Sequence, residues 1–428
     1  MRSMHLSAIA VVVANVLGLS PLSAKPLRWI GPLDEAQVIA RAQVSFGARL
    51  AALNAKIADE RARSTRALAL PQVSVSESTL KSTLAQLGMP AARQTYASLN
   101  ATVPLFAPQA WAAARAAGSN AVTARAIAAM SVSRAVSDAL VAYNAAALAR
   151  AIEKLRAVDV SDQRSHLAFT LERVQSGAAP RYLIARDEAA VAQARQFEEE
   201  SRFEAVRAAH ALDVQLNFDV RSKPVLTLGV PEVPTVRDVA ALERRAYAQR
   251  PDVIAAERSL FAARERIAAA RDGYLPTISA TVQTYNGTSN PALGKSGSQI
   301  GITASLPLFD GGSRGSDIRR AELEYDRTRV ELGRTKLQVQ ADVLDALSDM
   351  EVARRDLAAA SSGLRNAKID MRITDLRARA GKGIELDVLD ALATLAHARE
   401  NVLRATARYD DSLVGLRAAV GDYAPHPF

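Results

Sequence analysis

"QIGITASLPLFDGG", residues 299–312, changes character within a short run. Ile300, Ile302, Ala304, Leu306 and Leu308 alternate with Gln299, Gly301, Thr303 and Ser305. Side chains of an extended strand point to opposite faces in turn, so this segment predicts a strand with one apolar face and one small, uncharged polar face. Asp310, Gly311 and Gly312 then break it, and no proline occurs from there to Ala424. A short strand that turns through glycines into a very long helix is an uncommon join.

The join has an echo. In "YASLNATVPLFAPQAW" (96–111), Ala97, Leu99, Ala101, Val103 and Leu105 alternate with Ser98, Asn100 and Thr102. Two more alternating segments precede these joins. "QVSVSES" (72–78) has Val73 and Val75 on its apolar phase, continued by Glu77, and "PTISATVQTY" (276–285) has Ile278, Ala280 and Val282. Segments of about ten residues match the length of a tilted strand crossing an outer membrane. Four strands cannot close on themselves, and an open sheet in lipid leaves N–H and C=O groups unsatisfied. Lipid-facing strands here therefore require several chains in one barrel, and three chains would supply 12 strands. Glu77 is tolerable only near a rim.

The rest of the chain reads as helix. Of 428 residues, 49% are hydrophobic but only 5% aromatic, a composition suited to closely packed alanine-rich helices. Proline is absent between residues 109 and 179, and again after Pro307 until Pro425. At ~1.5 Å per residue such helices approach 100 Å. Val339, Val343, Leu347 and Met350 recur at three- and four-residue steps, the mark of a packing seam.

The anchors recur. Pro71 and Pro276, Pro104 and Pro307, Gly177 and Gly381, and Leu212 and Leu416 are pairs about 204 residues apart. The chain therefore divides into a first repeat, residues 25–219, and a second, residues 236–424. An extended, proline-rich linker (220–235) lies between them and a tail (425–428) follows. Each repeat is expected to hold a helix (33–67; 236–271), two strands, a long helix (109–176; 313–380), a glycine break and a last helix (182–217; 385–421). Pro251 suits a first helical turn. Residues 1–24 read as a signal peptide: Arg2, the apolar run Leu6–Leu19, and small residues before a cleavage site after Ala24.

Composition also excludes functions. Without cysteine there is no disulfide, thiolate metal site, cysteine nucleophile or lipid-modified cysteine. His5, His166, His210, His397 and His426 have no partners at metal spacing. No phosphate loop or nucleophile elbow occurs, so neither an enzyme nor a cofactor is expected. The net charge of +9 comes from arginines interleaved with acids rather than a basic block, which argues against nucleic acid.

In order along the second half, "RPDVIAAERSLFAARERIAAARDGYLPTIS" (250–279), "LPLFDGG" (306–312) and "GKGIELDVLD" (381–390) resemble the TolC-like outer-membrane efflux proteins. The resemblance implies a mainly α fold with a small β part. Long antiparallel coiled-coil helices would carry four transmembrane β-strands per chain, completing a 12-stranded barrel in a homotrimer. It implies a passive outer-membrane exit duct with a large periplasmic part, served by a periplasmic adaptor protein and an inner-membrane pump. It puts the pore constriction at Asp387 and Asp390, with Arg181 and Arg186 as candidate gate partners; Leu183 and Arg186 occupy the matching places in the first repeat. The hairpin tips facing the adaptor would be Gly177 and Pro180, and Gly381, Lys382 and Gly383. Pro104 and Pro108, and Pro307, Gly311 and Gly312, would form the strand-to-helix bends. Without the resemblance, a periplasmic coiled-coil scaffold that never enters a membrane stays open.

Overall fold

A computed structural model describes residues 27–81, 93–229, 238–288, 296–380, 382 and 385–424. The signal peptide, the tail, Gly381, Gly383 and part of the linker lie outside these residues. The first half runs β1 (Ile30–Pro32), α1 (Glu35–Ala42), α2 (Phe46–Ala67), β2 (Gln72–Lys81), β3 (Arg93–Phe106), α3 (Pro108–Gln175) and α4 (Tyr182–Gln215). The second runs β4 (Lys223–Val225), α5 (Val239–Gln249), α6 (Pro251–Asp272), β5 (Thr277–Thr288), β6 (Ser296–Ser305), α7 (Ser313–Arg379) and α8 (Glu385–Val420). The fold is mainly helical with a small β part.

The two long helices have 68 and 67 residues. Two differences from the sequence reading have local causes. The single helices expected at 33–67 and 236–271 are each broken. Ser45 accepts a hydrogen bond from the Ala48 N–H and so starts α2 afresh. Arg250 is extended ahead of Pro251, as a residue before proline must be. Within the linker, β4 pairs in parallel with β1.

The helices pack as two hairpins, α3 with α4 and α7 with α8. Helix α3 lies at the centre, packed against α1, α2, α4, α6 and α8, whereas α7 packs mainly against α5, α6 and α8. Part of α3 is alanine-rich enough to reach a mean hydropathy of 1.2 over 18 residues, which the sequence reading did not anticipate. Only 28% of that window is buried within the chain, so packing among the chain's own helices does not account for it. The main core gathers Val38, Val136, Leu140, Tyr143, Leu212, Leu216, Phe218 and Val414 where the hairpins meet α1 and the β1–β4 pair. The Tyr143 hydroxyl lies 3.0 and 3.1 Å from the carbonyl oxygens of Leu33 and Thr227, tying α3 to both flanking segments.

The remaining strands form one antiparallel sheet in the order β2-β3-β5-β6. The two halves thus meet at the β3–β5 ladder, and β2 and β6 are its edges.

Candidate channel wall, bends and gate

The register aligns the apolar phases of all four strands. Val73, Ala101, Val282 and Ile300 form one row across the sheet, and Val103, Ala280 and Ile302 the next. Among the described residues nothing covers this face: Val73 is 69% exposed, Val75 77%, Ile300 78% and Ile302 72%. The opposite face carries Ser74, Asn100, Gln283 and Gln299 in one row and Gln72, Thr102 and Thr281 in another. On that face Ser76 and Ser98 share a 2.8 Å hydrogen bond, and Asn100 donates to Ser98 at 3.2 Å. Glu77 stands in a row with Ala97, Asn286 and Ser296, where the apolar phase has turned polar.

The alternation ends earlier than the sequence suggests. A bulge between Pro104 and Phe106 makes Leu105 an extra residue, so Phe106 lies opposite Ile278. Pro104, expected in the bend, lies instead within β3, opposite Ser279, beside the bulge and past the last β2 pair at Thr102. In the second half β6 stops at Ser305. Leu306 and Leu308, expected on the strand, lie beyond it with Pro307, which was expected in the bend.

The two bends are built differently. In the first, Ala107 leads to Pro108 at the start of α3 with no side-chain cap, and Phe106 meets Trp111 edge to face at 5.7 Å. In the second, Gly311 and Gly312 both adopt left-handed backbone, φ 66° and 88°, which a side chain would strain. Asp310 accepts from the Gly312 and Arg314 N–H groups at 3.1 Å each, and from Arg314 Nε at 2.6 Å. These hydrogen bonds hold the Asp310 carboxyl below the usual carboxylate range.

At the other end of the hairpins, Gly177 has φ 74° and closes the α3–α4 turn, and the Ala178 N–H donates to the Arg173 carbonyl. Pro180 and Lys382 are exposed. Asp387 and Asp390 are exposed in the first turns of α8, and Arg181 and Arg186 are exposed at the start of α4. Among the described residues, no ion pair within the chain joins either arginine to either aspartate. Leu183 is buried, so the first half offers no carboxylate at the place matching Asp387.

Sequence reasoning missed several buried acids. His166 Nε2 lies 3.7 Å from Asp187 Oδ2, joining α3 to α4 near the tips. Asp213 is fully buried, and burial pushes its carboxyl up to about 6. Asp410 is pushed up to about 7 by burial, then by Asp411 and Glu35. Asp411 accepts a 2.8 Å hydrogen bond from Asn144. Helical periodicity separates faces, but in helices with neighbours on several sides it does not say which acids are covered.

Outward faces also carry apolar seams. On α7, Leu323, Val330, Leu337 and Leu344 are exposed at strict seven-residue intervals, and on α2 Phe46, Leu50, Leu53 and Ile57 are exposed at coiled-coil steps. Among the described residues nothing covers either seam.

Residues 242–422 match the family model described as outer membrane efflux protein. The second half of the chain is thus similar to outer membrane efflux proteins. It is similar to the outer membrane protein TolC of Vibrio cholerae, 26% identical over 194 residues, 44% of each chain. It is also similar to protein CyaE of Bordetella pertussis, 28% identical over 192 residues, 44% of this chain and 40% of that one. The matched stretch thus spans less than half the length of these relatives. Among solved structures, CusC superposes with a TM-score of 0.80 at 20% identity, covering 90% of this chain and 92% of that one. The open state of Neisseria gonorrhoeae MtrE gives 0.77 at 21%, covering 90% and 88%. These likenesses extend the fold to the first half, which the family model does not reach. By its description the matched family is one of outer-membrane efflux proteins.

Proposed function

We propose that three copies of this chain close a 12-stranded barrel in the outer membrane, continued by a helical tunnel, and that this duct is the passive exit of a tripartite efflux or secretion system. The observation that carries the reading is the open sheet. Its apolar face is bare, and its β2 and β6 edges carry unpaired backbone groups that lipid cannot satisfy. A ring of copies joins unlike flanks, as a heterologous interface requires. Helix α2, with one bare seam, leads into edge strand β2, and α7, with the other, follows edge strand β6. Pairing β6 of one copy with β2 of the next therefore brings two apolar seams together below the barrel. The two repeats, 25–219 and 236–424, each contribute half of the chain's four strands and one hairpin.

By the same reading, Asp387 and Asp390 from each copy ring the axis at the periplasmic end. At least six carboxylates there favour cations and narrow the tunnel. The tips around Gly177, Pro180, Gly381, Lys382 and Gly383 face a periplasmic adaptor, and an inner-membrane pump supplies the cargo.

The test is purification in detergent, mass measurement of the particle, and reconstitution into planar bilayers. We expect a trimer with a stable single-channel conductance. Protein that stays monomeric and soluble without detergent, and opens no pores, would favour the periplasmic scaffold and overturn the proposal.

A further inference from the structure

The second bend contains a contact hub that the channel reading leaves without a role. Arg314, in the first turn of α7, pairs with Asp310 at 2.6 Å. Its Nη1 also donates to the Gly273 carbonyl at 3.4 Å, and its guanidinium lies 4.7 Å from the centre of the Tyr274 ring. Gly273 and Tyr274 are not part of the same bend. They end α6 and lead into β5, the other strand–helix joint of this half. The Tyr274 hydroxyl lies 3.9 Å from where a Cβ on Gly315 would stand, so the ring runs along the first turn of α7. Only 13% of the Arg314 side chain is exposed. One guanidinium therefore ties together two joints 41 residues apart in sequence.

Among the described residues the first half shows no such tie. There α2 and β2 are joined locally, by Gln72 Nε2 donating to the Ala67 carbonyl at 2.6 Å and to the Leu70 carbonyl at 3.2 Å. The bend from β3 to α3 is restrained by Pro108 and by the Phe106–Trp111 contact. Among the described residues, no side-chain hydrogen bond links these two joints. A proline at a first helical position fixes φ covalently, whereas two successive glycines are the most permissive pair a bend can contain. The second bend would act as a free hinge unless something outside the backbone held it.

We propose that Arg314 is the positioning residue of the barrel–tunnel junction: by clamping Asp310, Gly273 and Tyr274 together it holds β5 and β6 at a fixed angle to α6 and α7, and so fixes the bore where the barrel meets the tunnel. The inference rests on the channel reading above. An arginine is required. Lysine can keep the charge pair with Asp310, but its single ammonium cannot also reach the Gly273 carbonyl and lie flat on the Tyr274 ring.

The experiment compares wild type, Arg314→Ala, Arg314→Lys and Tyr274→Leu in planar bilayers, with the melting temperature of each trimer measured alongside. We expect Arg314→Ala to assemble and to split the single conductance level into sublevels, with open-channel current noise raised several-fold. Arg314→Lys should recover part of the loss. Tyr274→Leu, which removes only the ring contact, should give a smaller effect of the same kind at an unchanged melting temperature. Wild-type conductance and noise in Arg314→Ala, or in Tyr274→Leu should the alanine variant not assemble, would overturn the proposal while leaving the channel reading intact. Wild-type protein that opens no pores would overturn both.

Discussion

The two long helices α3 and α7 are nearly equal in length and occupy corresponding places in their halves, yet they live in different surroundings. Helix α3 has five neighbouring helices along its length and buries Val136, Ala139, Leu140, Tyr143, Ala146 and Ala147 in one stretch of the main core. Helix α7 buries chiefly Val339, Val343, Met350 and Ala353 on one side. Its heptad of Leu323, Val330, Leu337 and Leu344 is left bare. The same element is a core post in one half and a flank in the other. A flank with a strict heptad is an incomplete coiled coil, and its missing partner is the natural place for another copy.

The comparison can be broken most directly at that heptad. Leu337→Asp combined with Leu344→Asp should abolish the trimer, read by light scattering in detergent, because each leucine otherwise buries surface worth roughly 1.5–3 kcal/mol per interface. The hairpin itself should keep its helical circular dichroism. A trimer surviving both changes would mean that α7 is not a subunit seam. In α3, Leu140→Ala should destabilise the fold itself by roughly 2–5 kcal/mol, since the side chain is almost wholly enclosed. Leu337→Ala in separated monomers should cost almost nothing in the same urea titration. Similar losses at both positions would erase the distinction between post and flank.

A smaller effect tests the electrostatics of the first half. Asp213 has its folded carboxyl raised to about 6, so the folded state holds a proton that the unfolded state releases. Stability from this group therefore falls as pH rises from about 4 to 6 and stays lowered above that. Asp213→Asn should remove that slope and raise stability at pH 7 by on the order of 1–3 kcal/mol. Melting curves from pH 4 to 8 would show it, and parallel curves for the two proteins would refute it. The smallest effect is expected at the tips, where only the second half presents Asp387 and Asp390. Replacing both with alanine should lower cation selectivity in reversal-potential measurements and weaken block by multivalent cations, leaving assembly unchanged. Arg186→Ala should shift selectivity the other way. Unchanged reversal potentials and block in the aspartate variant would remove the carboxylates from the pore.

Different parts of this molecule were legible to different degrees. The long helices end within about one residue of where proline and glycine predicted, because those residues act through their own backbones. The broken helices before the strands were missed. Their breaks depend on a Ser45 cap and on an extended Arg250, signals weak beside continuous apolar periodicity. The bulge at Leu105 was missed for a related reason: "TVPLF" alternates well enough on paper, and only the ladder with β5 shows which residue is extra. Asp387 and Asp390 were reached through the resemblance of their motif. No local property distinguishes them from other exposed carboxylates on a helix.

By itself the sequence determined what each segment is. Period-two alternation makes four two-faced strands, proline-free alanine-rich runs make two very long helices, and anchors at a constant spacing make two similar halves. These are properties of neighbours along the chain, where sterics and side-chain direction act within a few residues. Only the tertiary structure decided which strand lies beside which, with β3 against β5 at the centre and β2 and β6 left as edges. It alone placed α3 inside and α7 outside, buried Asp213, half-buried Asp410, and brought Arg314 onto Gly273 and Tyr274. Those outcomes depend on packing between segments tens to hundreds of residues apart, and nothing in the local pattern of either partner encodes the meeting.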